Sequence, residues 1–386
     1  MGEWKECTIG DIGTVIGGAT PSTKKIENYE NGTVAWITPK DLSNFSGRYI
    51  SRGERNITEA GLKSCSSQLM PKNTVLFTSR APIGYVAIAE NEVCTNQGFK
   101  SVVPNDYTDF LFLYYLLKYN KDNIENMGSG TTFKEVSGKT MREIVVKVPK
   151  TIEEQRRISE ILGAIDDKIE ENEKINKNLE DQAKTIYDKL IIQDMNNCWA
   201  SGVLSDIATI TMGQSPKGDT YNEDGHGTVF FQGRAEFGFR FPTRRLYTTD
   251  PKRMSQCNDA LMSVRAPVGD MNVAYEECCI GRGLAAIHSK DNHQSFVLYT
   301  MFALRKQLNV FNGEGTVFGS INRDSLNSMP LMIPPMNVIN TFEKLISPLD
   351  NMIRNNHDEI CRLTAIRDSL LPKLMSGELD VADIDI

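Results

Sequence analysis

Two stretches of the chain gather side chains suited to reading flat arrays of hydrogen-bonding groups. Residues 36–49, WITPKDLSNFSGRY, carry Lys40 and Arg48, and residues 230–242, FFQGRAEFGFRFP, carry Gln232, Arg234 and Arg240. Arginine offers a rigid fork of donors, and glutamine sets a donor beside an acceptor. Those patterns match the edges of guanine and adenine in a major groove. A further pair belongs with them. Gln97 in TNQGFK answers Arg282 in IGRGLA at an offset of 185. This is a chemistry of recognition, and the motifs of catalysis are missing beside it. The sequence has no Gly-x-x-x-x-Gly-Lys-(Ser/Thr) loop, no His-Glu-x-x-His, no Gly-x-Ser-x-Gly and no Asn-Pro-Pro-(Tyr/Phe). The four histidines and eight cysteines show no metal-ligand spacing and no Cys-x-x-Cys, so reduced structural thiols and no zinc are expected.

The elements that hold these residues occur twice. TSRAPIGY at 78–85 returns as SVRAPVGD at 263–270, which sets Arg80 and Arg265 at equivalent points 185 positions apart. The opening WKECTIGDIGTVIGGATP at 4–21 resembles WASGVLSDIATITMGQSP at 199–216. GSGTTF at 128–133 answers GEGTVF at 313–318, and VVKVP ending at Pro149 answers PLMIP ending at Pro334. The chain therefore reads as a tandem duplication. An arginine identical in both copies, beside loops that diverge, is a poor source of specificity. Arg80 and Arg265 suit either a phosphate contact or the holding of the turn, and Thr131, Thr132, Lys134 and Thr316 are candidates for contacting a nucleic-acid backbone.

Each copy ends in a long heptad seam. Ile158, Leu162, Ile165, Ile169, Asn172, Asn176, Leu179, Ala183, Ile186 and Leu190 keep an alternating spacing of four and three. Phe342, Ile346, Leu349, Ile353, Asn356, Ile360, Leu363, Arg367, Leu370 and Leu374 repeat it at an offset of 184. The spacing predicts helices over 153–192 and 337–375, about 60 Å long at ~1.5 Å per residue. Narrow seams need partners, and an antiparallel pairing of the two brings Asn172 and Asn356 close as a register-fixing polar layer. Pro348 and Pro372 predict that the second helix is the less regular one.

The parts between read as mixed α and β. NTVLFTSR (73–80), GYVAIAE (84–90) and REIVVKVP (142–149) are short Val- and Ile-rich runs bounded by Gly, Pro or Asn, which predicts strands. DFLFLYYLLKYN (109–120) and its counterpart SFVLYTMFALRKQL (295–308) predict buried helices. The fold class expected is α+β, a tandem duplication of two mixed α/β units joined by two long helices packed as an antiparallel coiled coil, with pseudo-twofold symmetry. Net charge is −7 over 386 residues. The acidity concentrates in 151–197 (net −5) and 335–386 (net −4), which leaves 1–150 at +2 and 198–334 at 0. Those two parts can each present a basic face. No run of 18 apolar residues exists and the start shows no secretory leader, which points to the cytosol and away from membranes.

The residues then carry a resemblance to a known family. WKECTIGDIGTVIGG at the start, the segment IVVKVPKTIEEQRRISEILGAIDDKIEENEKINKNLEDQAKTIYDKLI (144–191) and LLPKLMSGELDV (370–381) resemble the DNA-specificity (S) subunit of Type I restriction-modification enzymes. The resemblance covers essentially the whole chain. It departs where PPMNVINTFEKLISPLD lacks the Glu-Gln of PKTIEEQ. It implies a target-recognition domain over 1–150, a spacer helix over 151–197, a second recognition domain over 198–334, and a second spacer helix with a tail over 335–386. It also implies a chain without an active site that reads a split, asymmetric site on double-stranded DNA. Two methyltransferase subunits that use S-adenosylmethionine would dock on the spacer, and restriction and translocation subunits can join. The alternative from another class is a protein-interaction scaffold built on the paired helices.

Overall fold

The computed structural model describes residues 3–43, 45–130, 134–193, 199–313 and 319–381. The chain packs as two compact units, one of Met1–Asn172 with Glu359–Ile386, the other of Glu173–Asp358.

The principal strands of the first unit are β1 (Trp4–Thr8), β2 (Gly13–Gly17), β3 (Tyr49–Ile50), β4 (Val75–Ser79), β5 (Ile83–Ala89), β6 (Lys100–Pro104) and β7 (Val145–Pro149). The main sheet has the order β2-β6-β4-β5-β3, and β1 pairs antiparallel with β7 apart from it. β4 is buried at every residue, so it reads as an unbroken apolar run with no alternation. Helix α1 (Phe110–Tyr119) starts where the Asp109 carboxylate accepts from the Phe112 amide. This satisfies one of the free N–H groups of the first turn. α1 buries Phe112, Leu113, Tyr115 and Leu116 in the core with Val75, Phe77 and Ile88. Helix α2 (Ile152–Tyr187) begins in this unit.

The second unit repeats the plan with β8 (Ala200–Val203), β9 (Ala208–Met212), β10 (Ala260–Ser263), β11 (Met271–Val273), β12 (Leu284–Ser289) and β13 (Pro330–Ile333). One of its sheets has the order β9-β12-β10-β11, matching β2-β6-β4-β5, a separate five-stranded sheet includes Thr228–Phe231 and Cys278–Ile280, and β8 pairs with β13 as β1 does with β7. Helix α3 (Gln294–Leu308) fills the place of α1. Its start is capped differently. The His293 side chain does not cap it, and Glu343 of helix α4 (Met336–Ser376) accepts from the Ser295 and Phe296 amides instead. The duplication predicted from sequence is the architecture of the chain.

The long helices pair antiparallel within each unit. In the first, Ile158 and Leu162 near the start of α2 share a core with Leu374 and Met375 near the end of α4. Asp166 holds Arg367 at 2.8 Å, and Asn172 donates to Glu359 at 2.9 Å. In the second, Asn356 donates to Asn176 at 2.8 Å, and the Tyr187 and Phe342 rings meet edge-on at 5.4 Å. The two asparagines expected to meet as one layer thus bond to Glu359 and Asn176. The expectation that the second helix is the less regular one is corrected. α4 is continuous through Pro348 and Pro372. Both prolines lie on its exposed side, where the carbonyl each one leaves unbonded, four residues back, can turn to water. The irregularity lies instead at the end of α2, where Asp188–Gln193 loosens to a wider π-helical turn. Cys7, Cys65, Cys94, Cys257, Cys278 and Cys279 are free thiols.

Candidate nucleic-acid interface

In the second unit the shared turn is built on Ser263, the last residue of β10. Its hydroxyl donates to the Pro267 carbonyl at 2.7 Å and accepts from the Asp270 amide at 2.9 Å. The Val264 amide donates to Gly283 and the Ala266 amide to Gly319. The backbone is thereby held without the Arg265 side chain, which is exposed. The loop carrying Arg282 lies directly on the strand-end carrying Gln232. A Cβ on Gly281 would stand 2.9 Å from the Gln232 Cα, and one on Gly283 would stand 2.7 Å from its carbonyl oxygen. Only glycine permits that approach.

The result is one open concavity of about 380 Å3 lined by Gln232, Arg234, Glu236, Arg245, Arg265 and Arg282, among others. Four of the sequence candidates are brought together in it. Arg234 pairs with Asp270 at 2.6 Å, and Arg305 reaches the same carboxylate at 2.7 Å. Arg245 donates to Glu236 at 2.7 Å. Among the described residues, Arg265 and Arg282 have no carboxylate within salt-bridge reach. Exposed guanidinium groups without acidic partners are the groups expected to meet phosphates or base edges.

The first unit has its own cluster around the equivalent turn. The Ser79 amide donates to the Gly98 carbonyl at 2.7 Å, and a Cβ on Gly98 would stand 2.8 Å from the Pro39 Cγ. The Gln97 loop is thus fastened on one side to the strand before Arg80 and on the other to the turn carrying Lys40. Gln97 is exposed and accepts from the Thr20 hydroxyl. Lys40 is exposed and paired with Glu54 at 2.6 Å. Arg80 bonds Glu135 at 3.3 Å, and Lys100 approaches the same carboxylate at 3.6 Å. Lys134 is exposed beside them. Thr131, Thr132 and Thr316 lie outside the described residues.

The structure gives Arg48 and Arg240 different work from the reading of bases. Arg48 is 3% exposed. It donates to Glu170 at 2.9 Å, to the Gly163 carbonyl at 3.3 Å and to Asp167, all on α2. Burial opposes its charge, but Glu170 and Asp167 outweigh that and hold the guanidinium well above its ordinary value. Arg240 is 4% exposed and holds Asp350 of α4 and Glu180 of α2, each at 3.2 Å, with the Tyr299 hydroxyl at 3.1 Å. Donors engaged in this way are closed to a base edge. Each arginine fastens its unit's sheet region to a long helix. Sequence reasoning missed Arg245, Glu236 and Lys100. Lys100 closes the TNQGFK motif itself, while Glu236 and Arg245 become visible only once the turn of Arg234–Glu236 brings them together.

Comparison with known proteins places this geometry among relatives. The model of the Type I restriction modification DNA specificity domain matches the chain twice, over residues 1–181 and 196–365. The chain is similar to the Type I restriction enzyme MjaIX specificity subunit of Methanocaldococcus jannaschii, at 32% identity over 99% of this chain and 95% of that one. It is similar to the EcoR124I/EcoR124II specificity subunit of Escherichia coli, at 33% identity over 42% of this chain and 41% of that one. Its fold matches the crystal structure of a Type I restriction-modification S subunit from M. genitalium with a TM-score of 0.63 at 17% identity, over 97% and 96% of the two chains.

Proposed function

Because the chain belongs to the family of Type I restriction-modification DNA specificity subunits, we propose that each of its two units reads one half of a split, asymmetric DNA site. The chain is the non-catalytic, DNA-recognising member of such a complex. What supports a split and asymmetric site is a single relationship. One sheet framework occurs twice, yet the equivalent exposed loop position carries Gln97 in one unit and Arg282 in the other. Two identical readers would select a symmetric site, whereas a carboxamide and a guanidinium suit different bases. Lys40, Gln97, Gln232, Arg234 and Arg282 are the proposed base readers. Arg80, Arg265 and Lys134 meet phosphates, which position the protein without specifying sequence.

Two methyltransferase subunits dock on helices α2 and α4 and supply adenine methylation with S-adenosylmethionine, and restriction and translocation subunits join for cleavage. The test is reconstitution with the cognate methyltransferase subunit, followed by mapping of every methylated adenine on a random DNA library. A single motif with two specified halves and an unspecified gap is expected. Methylation scattered without a motif, or a motif with one contiguous block, overturns the reading.

A further inference from the structure

We infer that Arg245 is a further base-reading residue, directed at a guanine, and that the buried Glu236 beside it is its positioning residue. This rests on the proposed role of the concavity and adds to it a specificity determinant from a third strand-end.

The sheet topology brings Arg245 there. The strand Thr228–Phe231 runs parallel to Cys278–Ile280, so the residues that follow them, Gln232 and Arg282, leave the sheet at one edge. The strand Leu246–Thr248 pairs antiparallel with Thr228–Phe231, with Leu246 opposite Phe230. Arg245, which precedes that strand, therefore enters at the same edge. It lines the concavity with Gln232, Arg265 and Arg282.

The group that holds Arg245 is buried. The Arg245 Nη2 donates to Glu236 Oε1 at 2.7 Å, and the two side chains are 55% and 4% exposed. The backbone of Glu236 is fixed in turn. The Phe237 amide donates to the Arg234 carbonyl at 3.0 Å, and the Thr243 amide donates to the Glu236 carbonyl at 2.8 Å. Among the described residues Glu236 has no other ion pair. Swinging Arg245 away would strand a buried charge. The arginine thus loses its rotamer freedom on folding, before any DNA arrives. Glu223, 3.6 Å from the same guanidinium, is exposed and adds little.

This arrangement suits a base better than a phosphate. A guanidinium beside a carboxylate has less net charge to offer a phosphate. Its five N–H donors lie in one plane, and Glu236 engages one of them. The rest keep the fork that meets the O6 and N7 acceptors of guanine together. The first unit builds the equivalent pair with the charges reversed. The bridge of Val34 to Ile57 answers that of Thr228 to Thr248, which puts Glu54 at the point of Arg245. Glu54 holds Lys40 at 2.6 Å, and both side chains are exposed. The cation there comes from the turn and has no buried anchor. The anchored fork belongs to the second unit and its half-site.

The experiment uses the whole chain assembled with its cognate methyltransferase subunits. Methylation rates are measured on duplexes carrying 7-deazaguanine at each specified guanine, a base that lacks N7 and keeps its pairing. One guanine is expected at which the wild-type rate falls ~10-fold or more. Arg245→Lys keeps a charge against Glu236 and loses the fork. It is expected to abolish the 7-deazaguanine effect at that guanine, to relax discrimination there, and to leave the other specified positions unchanged. Glu236→Gln is expected to weaken discrimination at the same guanine alone. A Glu236 that only stabilises the fold would lower the unfolding midpoint and leave every base preference as it was. A folded Arg245→Lys complex with the wild-type motif and 7-deazaguanine profile overturns the inference. So does one weakened equally on every duplex, which marks a phosphate contact. If Arg245→Lys does not fold, Arg245→Met combined with Glu236→Gln removes the pair without stranding a charge, and the same outcomes decide. Wild-type rates indifferent to 7-deazaguanine at every guanine overturn the inference as well. A wild-type complex with no discrete motif is a distinct result, because it removes the recognition reading on which this one stands.

Discussion

Tyr115 and Asp166 share a 2.6 Å hydrogen bond within the first unit, running from a buried hydroxyl of α1 to a buried carboxylate of α2. Tyr299 and Asp350, each 184 positions further on, repeat it at 3.1 Å within the second. Each carboxylate also holds an arginine, Arg367 on Asp166 and Arg240 on Asp350. The duplication has therefore kept a polar rivet between the domain helix and the long helix, although the arginine reaches it from a different element in each copy. Tyr115→Phe removes one donor and leaves the arginine in place, so a loss of ~1–2 kcal/mol is expected from the shift in denaturant midpoint. Asp166→Ala leaves the buried Tyr115 hydroxyl without its acceptor and takes from the partly buried Arg367 one of its two carboxylates, Asp368 remaining, so it should cost more, ~2–4 kcal/mol. Equal costs for the two variants would count against a shared network.

Arg48 makes a second such fastening, and lysine cannot imitate it. An ammonium group is a compact point charge without the planar fork of donors, whereas Arg48 spans Glu170, Asp167 and the Gly163 carbonyl at once. Arg48→Lys is expected to lower stability by ~2–4 kcal/mol while the reconstituted complex keeps its methylation motif. A changed motif with unchanged stability would return Arg48 to the base readers.

Much of this was legible in the sequence, for a physical reason. Repetition fixes equivalence before any coordinate does. The offsets that align the Arg-Ala-Pro turns also align β4 with β10 and α1 with α3. The heptad spacing gives both helix spans to within a few residues because a narrow apolar stripe every 3.5 residues has one structural meaning. The destinations of arginines were not legible. Arg48 and Arg282 look alike in a loop sequence. They part only when the fold brings Glu170 and Asp167 to one and leaves the other exposed. Glu236 was hidden for the converse reason, since an acid in a basic loop reads as a solvated charge until burial strips it of water.

The unbroken course of α4 carries its own expectation. Pro348 stands well inside the helix and on its exposed side, so its only local effects are a missing amide donor and a crowded turn. Pro348→Ala should restore the bond to the Lys344 carbonyl and raise stability by ~1–3 kcal/mol, read from thermal and denaturant unfolding. An unchanged or lower midpoint would mean that the helix bends at this point to meet its neighbours and needs the proline to do so.

Arg265 and Arg282 line the same concavity and should behave differently. Arg265→Gln is expected to weaken binding of the assembled complex to every duplex by a similar factor and to reduce the slope of log affinity against log salt by ~0.9. Arg282→Gln is expected to relax or change one specified base, with a ~10-fold or larger loss on the original site and little loss on unrelated DNA. Titrations at several salt concentrations on specific and random duplexes separate the two. A motif altered by Arg265→Gln would overturn the division between positioning and reading.

His357 should make the second unit sensitive to mild acid. Its ring lies 4.9 Å from that of Phe241 and 5.7 Å from that of Tyr275. Burial, more than the nearby Asp358 can offset, lowers its affinity for a proton, and Arg354 and Arg244 act in the same direction as burial. The ordinary value of 6.5 then belongs to the unfolded chain, and the folded chain titrates below it. Between the two values the unfolded state binds more protons, so stability is complete above 6.5 and falls as the pH drops through that window toward the folded value. Glu343, pushed up by burial despite its two backbone donors, acts in the opposite sense and partly masks the trend. The difference between wild type and His357→Phe isolates the ring. The variant's denaturant midpoint should decline less than the wild type's from pH 7.5 to 5.5. Parallel profiles would show that the imidazole titrates alike in both states and that its burial carries no pH dependence.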